Sequence, residues 1–190
     1  TNTKADELAA KGEPEFTVVV ADYQTEGRWQ RNNKWESEPG KNLMFSIILR
    51  PKFLLAENQF LLLKCLSLGV NDYIKGLGIE SRIKWSNDIY IDNSKVTGML
   101  IEHSIIGEHI SFTVIGIGIN LNQQTFSNNV QNVISISQKI KQEINILDAL
   151  NDVLMHIDKR YSMLKNNQVD TINKDYFDSL YRNTGFHQYE

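Results

Sequence analysis

Three runs rich in β-branched and aromatic residues follow one another at 82–91, 95–105 and 110–120, separated by the turn sequences Asp92-Asn93-Ser94 and Gly107-Glu108. Turns this short force neighbouring strands to run antiparallel, so the middle of the chain is committed to a sheet. Charge is set into the first two runs: Lys84 and Asp88 in Lys84-Trp85-Ser86-Asn87-Asp88-Ile89-Tyr90, then Lys95 and Glu102 around Val96-Thr97-Gly98-Met99-Leu100. An uncompensated charge fully buried in a sheet costs several kcal/mol, so these side chains need partners or ligands. Taken alone, the same residues also read as two strands joined by a polar turn, with the charges on a wet face.

The rest of the chain supplies helices and further strands. A short helix is expected over 4–11, strands over 16–21 and 43–49, and a long helix over 56–75. In that helix Phe60, Leu63, Ser67, Val70 and Ile74 recur at near-helical spacing, and Gly76 and Gly78 close it. A polar loop over 122–132 precedes helices near 136–143, 146–164 and 168–181. The expected fold class is α+β, a mixed, largely antiparallel sheet with helices on one face. With 190 residues and 41% apolar content, the chain can bury one core, which implies one domain.

Composition narrows the function classes. A net charge of −3 leaves no basic footprint, so nucleic-acid binding is not expected. The single cysteine, Cys65, excludes an internal disulfide; it reads as a small core hydrophobe and fits a reducing cytoplasm. No apolar run approaches ~18 residues and no signal-peptide pattern opens the chain, so no membrane association is expected. The four histidines lack metal-ligand spacing, and no serine sits in a nucleophile-elbow pattern.

Two further stretches carry chemistry. Gly116-Ile117-Gly118-Ile119-Asn120 is a strand stripped of side chains on one face, as a flat ligand lying against it would require, although close strand packing produces the same pattern. No helix follows at once, so a dinucleotide-binding reading fails. The segment from Gly27 to Trp35 sets Arg28, Arg31 and Lys34 beside glycine and amides, a composition suited to wrapping an anion, and also that of a plain basic surface loop.

Four blocks in order resemble the biotin protein ligases. Lys84-Trp85-Ser86-Asn87-Asp88 and Lys95-Val96-Thr97-Gly98-Met99-Leu100 with Glu102 resemble that family's K-W-P-N-D and K-x-x-G-I-L-x-E, with Ser86 in place of proline. Gln24-Thr25-Glu26-Gly27-Arg28 through Trp35 is similar to its Q-T-x-G-R-G-x-x-G-R-x-W loop. Ser37-Glu38-Pro39-Gly40-Lys41-Asn42-Leu43, Ser46 and Leu49-Arg50-Pro51 resemble its S-P-x-G-x-N-L…S…L-R-P segment, and Gly116 to Asn122 its G-I-G-I-N-x-N. Thr1-Asn2-Thr3 and Leu180-Tyr181-Arg182 match smaller motifs at either end. The loop departs most: Trp29 and Asn32 stand where the family has glycine, and Asn33 where it has arginine. Glycine reaches positive φ without a Cβ penalty, and tryptophan does so poorly.

The resemblance implies a catalytic core similar to that of class II aminoacyl-tRNA synthetases. It implies ATP-dependent activation of biotin to biotinyl-5′-AMP with Mg²⁺, then transfer to a lysine of a biotin carboxyl carrier protein. Lys95, Arg28 and Asp88 are the implied catalytic residues, with Asp88 also toward the metal. Thr1, Asn2, Gln24, Gly27, Arg28, Lys95 and Gly98 are implied on biotin, and Arg31, Trp35, Asn87 and Asn120 on ATP or the adenylate. Glu102 is read either as orienting Lys95 or Lys84 through a charge pair or as a surface charge. Lys84 is a candidate for a subunit interface, which leaves a homodimer open. Beginning at Thr1 and ending at Tyr189-Glu190, residues 1–190 are expected to be a catalytic core cut at both ends, without the family's C-terminal barrel-like domain. A lipoate or octanoate ligase or transferase, and a non-catalytic biotin- or nucleotide-binding protein with an altered loop, remain alternatives.

Overall fold

The computed structural model describes residues 1–24, 37–127, 132–185 and 187. Six strands form one sheet in the order β1-β2-β6-β5-β4-β3. They are β1 (Val18–Ala21), β2 (Leu43–Leu49), β3 (Ser81–Lys84), β4 (Asp88–Ile91), β5 (Ser94–Ile106) and β6 (His109–Ile119). Every neighbouring pair of these strands is antiparallel, and parallel pairing is confined to the isolated bridges Ile83–Leu180 and Lys95–Val133. The expected strand over 82–91 is two strands, β3 and β4, folded back on each other with Lys84 opposite Asp88 and Trp85-Ser86-Asn87 as the turn. Hydrophobic alternation reads the same through both arms of such a hairpin, which is why sequence periodicity ran them together.

The helices are α1 (Asn2–Ala10), α2 (Gln59–Gly76, entered through a 3₁₀ turn at Ala56–Asn58), α3 (Ile136–Ile140), α4 (Ile146–Lys165) and α5 (Val169–Asp178). Alternation along β2 explains how they are layered. Leu43, Phe45, Ile47 and Leu49 face a large core shared with α2, α4 and α5, whereas Ile48 joins Ala5, Ala9 and Val114 in a second cluster beneath α1. All seven β2 residues are therefore buried, and helices cover both faces of the sheet instead of the single face expected. Helix α2 is buried nearly all round, from Leu62 to Ile74, because α4 lies against its outer side. Phe60, in its first turn, is 37% exposed. The helices cross closely enough that a Cβ on Gly69 would stand 2.8 Å from the Ile157 Cα, and Gly78, at φ +76°, turns the chain out of α2. Among the described residues no helix is long and apolar enough to cross a membrane.

Candidate functional site

The open part of the α1 face is a trough whose floor carries glycine at several of the positions paired across it. Strand pairing aligns Ala21, Met44, Gly118 and Gly98 across β1, β2, β6 and β5, and in the next row Val19, Ser46, Gly116 and Leu100. Three of these eight positions are glycine; Gly116 lies under Asn2, and Gly118, half-buried, leaves the β6 backbone open to close approach.

At one end, the start of α1 drops into the space above Gly116. A Cβ there would stand 2.2 Å from Asn2 Oδ1, so glycine is required by close approach. Ser46 Oγ donates to Asn2 Oδ1 at 2.6 Å and lies 2.7 Å from Thr1 Oγ1, to which Gln24 Nε2 donates at 3.3 Å. Asn2 Nδ2 donates to Glu102 Oε2 at 2.7 Å. Glu102 thus fixes an amide instead of pairing with Lys95 or Lys84, because its strand position brings it beside α1. Thr1, Asn2 and Gln24 are brought together around a residue that the motif reading did not assign to the site, Ser46. Only the register that sets it opposite Gly116 reveals that role.

At the other end Lys95 Nζ meets Asp88 Oδ2 at 2.7 Å, with side chains 17% and 25% exposed. Along a regular strand, Lys95 and Gly98, three residues apart, would point to opposite faces. A bulge prevents this: Ile89 pairs with Thr97 but Tyr90 pairs with Lys95, leaving Val96 as the extra residue. Lys95 is thereby turned onto the trough face beside Asp88, while Val96 goes to the core. The backbone of Lys95 is tied on its outer side by Lys95 N–H to Asn132 O at 2.7 Å and Ile134 N–H to Lys95 O at 3.0 Å.

Burial dominates the electrostatics of this pair. It pushes the Asp88 carboxyl above its ordinary value, against the opposing pull of Lys95 and Lys84. It likewise lowers Lys95, where Asp88 opposes the effect and Lys84 reinforces it. Lys84 packs over the Tyr90 ring at 4.8 Å and donates to its hydroxyl at 3.2 Å, close enough to be felt by both. Removing two charges from water costs several kcal/mol per ion before their attraction is counted, and an anionic ligand facing Lys95 would offset part of that cost.

Asn87 and Asn120 flank the pair. Asn87, 5% exposed, donates to Met99 O at 2.7 Å, and Asn120, 2% exposed, reaches Ile134 O at 3.4 Å. Among the described residues Asn120 Oδ1 is buried without a hydrogen-bond partner. Gly27, Arg28, Arg31 and Trp35, with Trp29, Asn32, Asn33 and Lys34, lie outside the described residues.

Residues 1–120 match the Biotin/lipoate A/B protein ligase family. The chain belongs to this family. Among its relatives, the bifunctional ligase/repressor BirA of Bacillus subtilis is 36% identical over 164 residues, 85% of this chain and 50% of that protein. The biotin--[acetyl-CoA-carboxylase] ligase of Paracoccus denitrificans is 33% identical over 123 residues, 64% of this chain and 50% of its own length. The biotin protein ligase of Aquifex aeolicus in complex with biotin and ATP superposes with a TM-score of 0.81 at 27% identity, over 92% of this chain and 73% of that one. This family member thus spans about half the length of these two relatives. The family fold, an antiparallel sheet flanked by helices, is the fold expected from sequence. What motifs could not convey in this ligase-family chain is the bulge at Val96 and the hairpin whose turn carries Asn87 and whose second arm opens with Asp88.

Proposed function

We propose that this chain activates biotin with ATP to give biotinyl-5′-AMP and transfers biotin to a lysine of a biotin carboxyl carrier protein. The observation that carries the reading is the Lys95–Asp88 pair, desolvated at one end of the trough, opposite the amides and hydroxyls of Thr1, Asn2, Gln24 and Ser46. Thr1, Asn2, Gln24 and Ser46 suit the neutral ureido ring of biotin, which needs amide and hydroxyl partners. The acyl tail then runs over Gly98 toward Lys95, whose ammonium bridges biotin's carboxylate and the α-phosphate where the two anions meet.

In the first step a carboxylate oxygen attacks the α-phosphorus and the bond to the β-phosphate breaks, releasing pyrophosphate. In the second the acceptor amine attacks the acyl carbon, loses a proton, and AMP departs with the former carboxyl oxygen. Lys95 stabilises the charge that concentrates in both. Asn87 and Asn120 serve the nucleotide, the latter through its unpaired Oδ1. Arg28 and Gly27 are assigned to biotin, and Arg31 and Trp35 to the adenylate, on the family motif.

Among the described residues no group of three or more His, Cys, Asp or Glu could hold a metal. One carboxylate, Asp88, fits an ion that arrives on the nucleotide, since Mg²⁺ takes one or two carboxylates together with phosphate oxygens. The ion would supply charge neutralisation along the triphosphate. A cytoplasmic setting agrees with Cys65, free and buried, its thiol pushed up to about 12 by burial.

The test is biotin-dependent ATP/pyrophosphate exchange by the purified chain, with mass detection of biotinyl-5′-AMP and with octanoate and lipoate as competing acids. Exchange with biotin alone supports the reading. Exchange with the other acids but not biotin, or none in a folded chain that binds biotin, overturns it.

A further inference from the structure

The turn that leads through Asn87 into Asp88 at the start of β4 is held from behind by a helix that the motifs never touch. Tyr176, on α5 and 4% exposed, donates its hydroxyl to Ser86 O at 2.7 Å. Its ring is fixed edge-on against Phe60 at 6.0 Å and 81°, with Lys64 Nζ 5.7 Å from its centre. Burial pushes the phenol up to about 12, so it remains a donor across the neutral range. Helix α5 itself is anchored: Arg160 joins Asp175 at 2.6 Å and Asp72 at 2.6 Å, and Lys64 donates to Asn173 at 2.6 Å. Beyond the helix the chain runs beside β3, with Ile83 N–H to Ser179 O and Tyr181 N–H to Ile83 O, each 2.8 Å. The β3 arm at Ile83 and the turn at Ser86 are therefore both tied to α5 and the segment that follows it, which packs with α2 and α4.

Within the turn, Ser86 Oγ donates to Asn87 Oδ1 at 2.8 Å, while the Asn87 amide donates to Met99 O. The serine hydroxyl, which stands where the family carries proline, thus orients the adjacent amide from the same residue whose carbonyl Tyr176 holds.

We infer that Tyr176 is a positioning residue for adenylate formation: by fixing the Ser86 carbonyl it sets Asn87 and Asp88 where the nucleotide and its ion are met. This rests on the ligase reading above. It acts at the nucleotide end, because Tyr176 packs in the large core with α2 and α4, whereas the Asn2–Ser46 network lies under α1 on the other face of the sheet.

Tyr176→Phe keeps the ring and removes the one hydroxyl. The expected result is amide hydrogen exchange about tenfold faster in the 85–90 segment, and adenylate formation slowed about tenfold with a raised KM for ATP. Biotin affinity, read by titration calorimetry, stays at the wild-type value. Unchanged exchange and unchanged adenylate rate overturn the inference. So does a parallel loss of biotin affinity and melting temperature, which would make Tyr176 a general packing residue. If the wild-type chain forms no adenylate, the ligase reading fails separately, and the exchange measurement still decides whether Tyr176 holds the turn.

Discussion

The two ends of the trough are built on opposite principles. Around Asn2 the side chains are mostly neutral amides and hydroxyls that satisfy one another through Ser46, Thr1 and Gln24, and the single carboxylate, Glu102, sits at the exposed rim as an acceptor. Around Lys95 two opposite charges are drawn into a site where burial acts against each of them. A neutral network is stable as it stands and selects by shape and hydrogen-bond pattern. A desolvated ion pair is poorly satisfied by itself, and such sites favour ligands that complete the charge arrangement. On the proposed ligase function, the neutral end would recognise the substrate and the charged end would serve the reaction.

The contrast is broken most strongly at Lys95. Lys95→Ala should lower adenylate formation by on the order of 10²–10³-fold, by pyrophosphate exchange, with the far-UV circular dichroism retained. Near-normal turnover would remove Lys95 from the chemistry. Next comes Gly116→Ala, whose new Cβ must displace Asn2. It should cost about 1–3 kcal/mol of stability by overpacking and weaken biotin binding on the order of tenfold. The reactive end should be spared, so the adenylate rate at saturating biotin is the discriminating measurement. Glu102→Gln replaces a charge-assisted acceptor for Asn2 by a neutral one, at about 0.5–1 kcal/mol, seen as a severalfold or smaller rise in biotin Kd by calorimetry.

The smallest effect is in pH. Because the folded-state Asp88 carboxyl titrates above its ordinary value, the folded protein holds that proton to higher pH than the unfolded chain. The stability this contributes is fully present below the unfolded value, about 4, and is lost as pH rises through the folded one. Melting temperatures of wild type and Asp88→Asn measured across that interval should diverge, with the wild type losing relative stability as pH rises. Parallel curves would show that Lys95 fully compensates the burial of Asp88.

The fold was legible wherever the signal is local. β2 was read with its observed bounds, and the extents of α4, β5 and β6 to within a residue, because the strand period of two and the helical period of 3.6 are written into consecutive residues; α2 begins three residues later than expected, after its 3₁₀ turn. The chemical inventory was local too: Lys95, Asp88, Asn87 and the glycines of β5 and β6 stand out by type in apolar surroundings. Other features were decided only when distant segments met. Lys95 and Gly98 share a face because pairing with β4 leaves Val96 unmatched, and nothing in β5 alone announces that bulge. Ser46 is a hub because β2 sets it beside β6 and under α1, and Tyr176 reaches Ser86 across 90 residues of chain. The sequence by itself determined which strands and helices form and which charged and amide groups are available. Tertiary structure decided which of those groups face one another, since strand register and helix docking are settled by core packing summed over many residues and not by any local pattern.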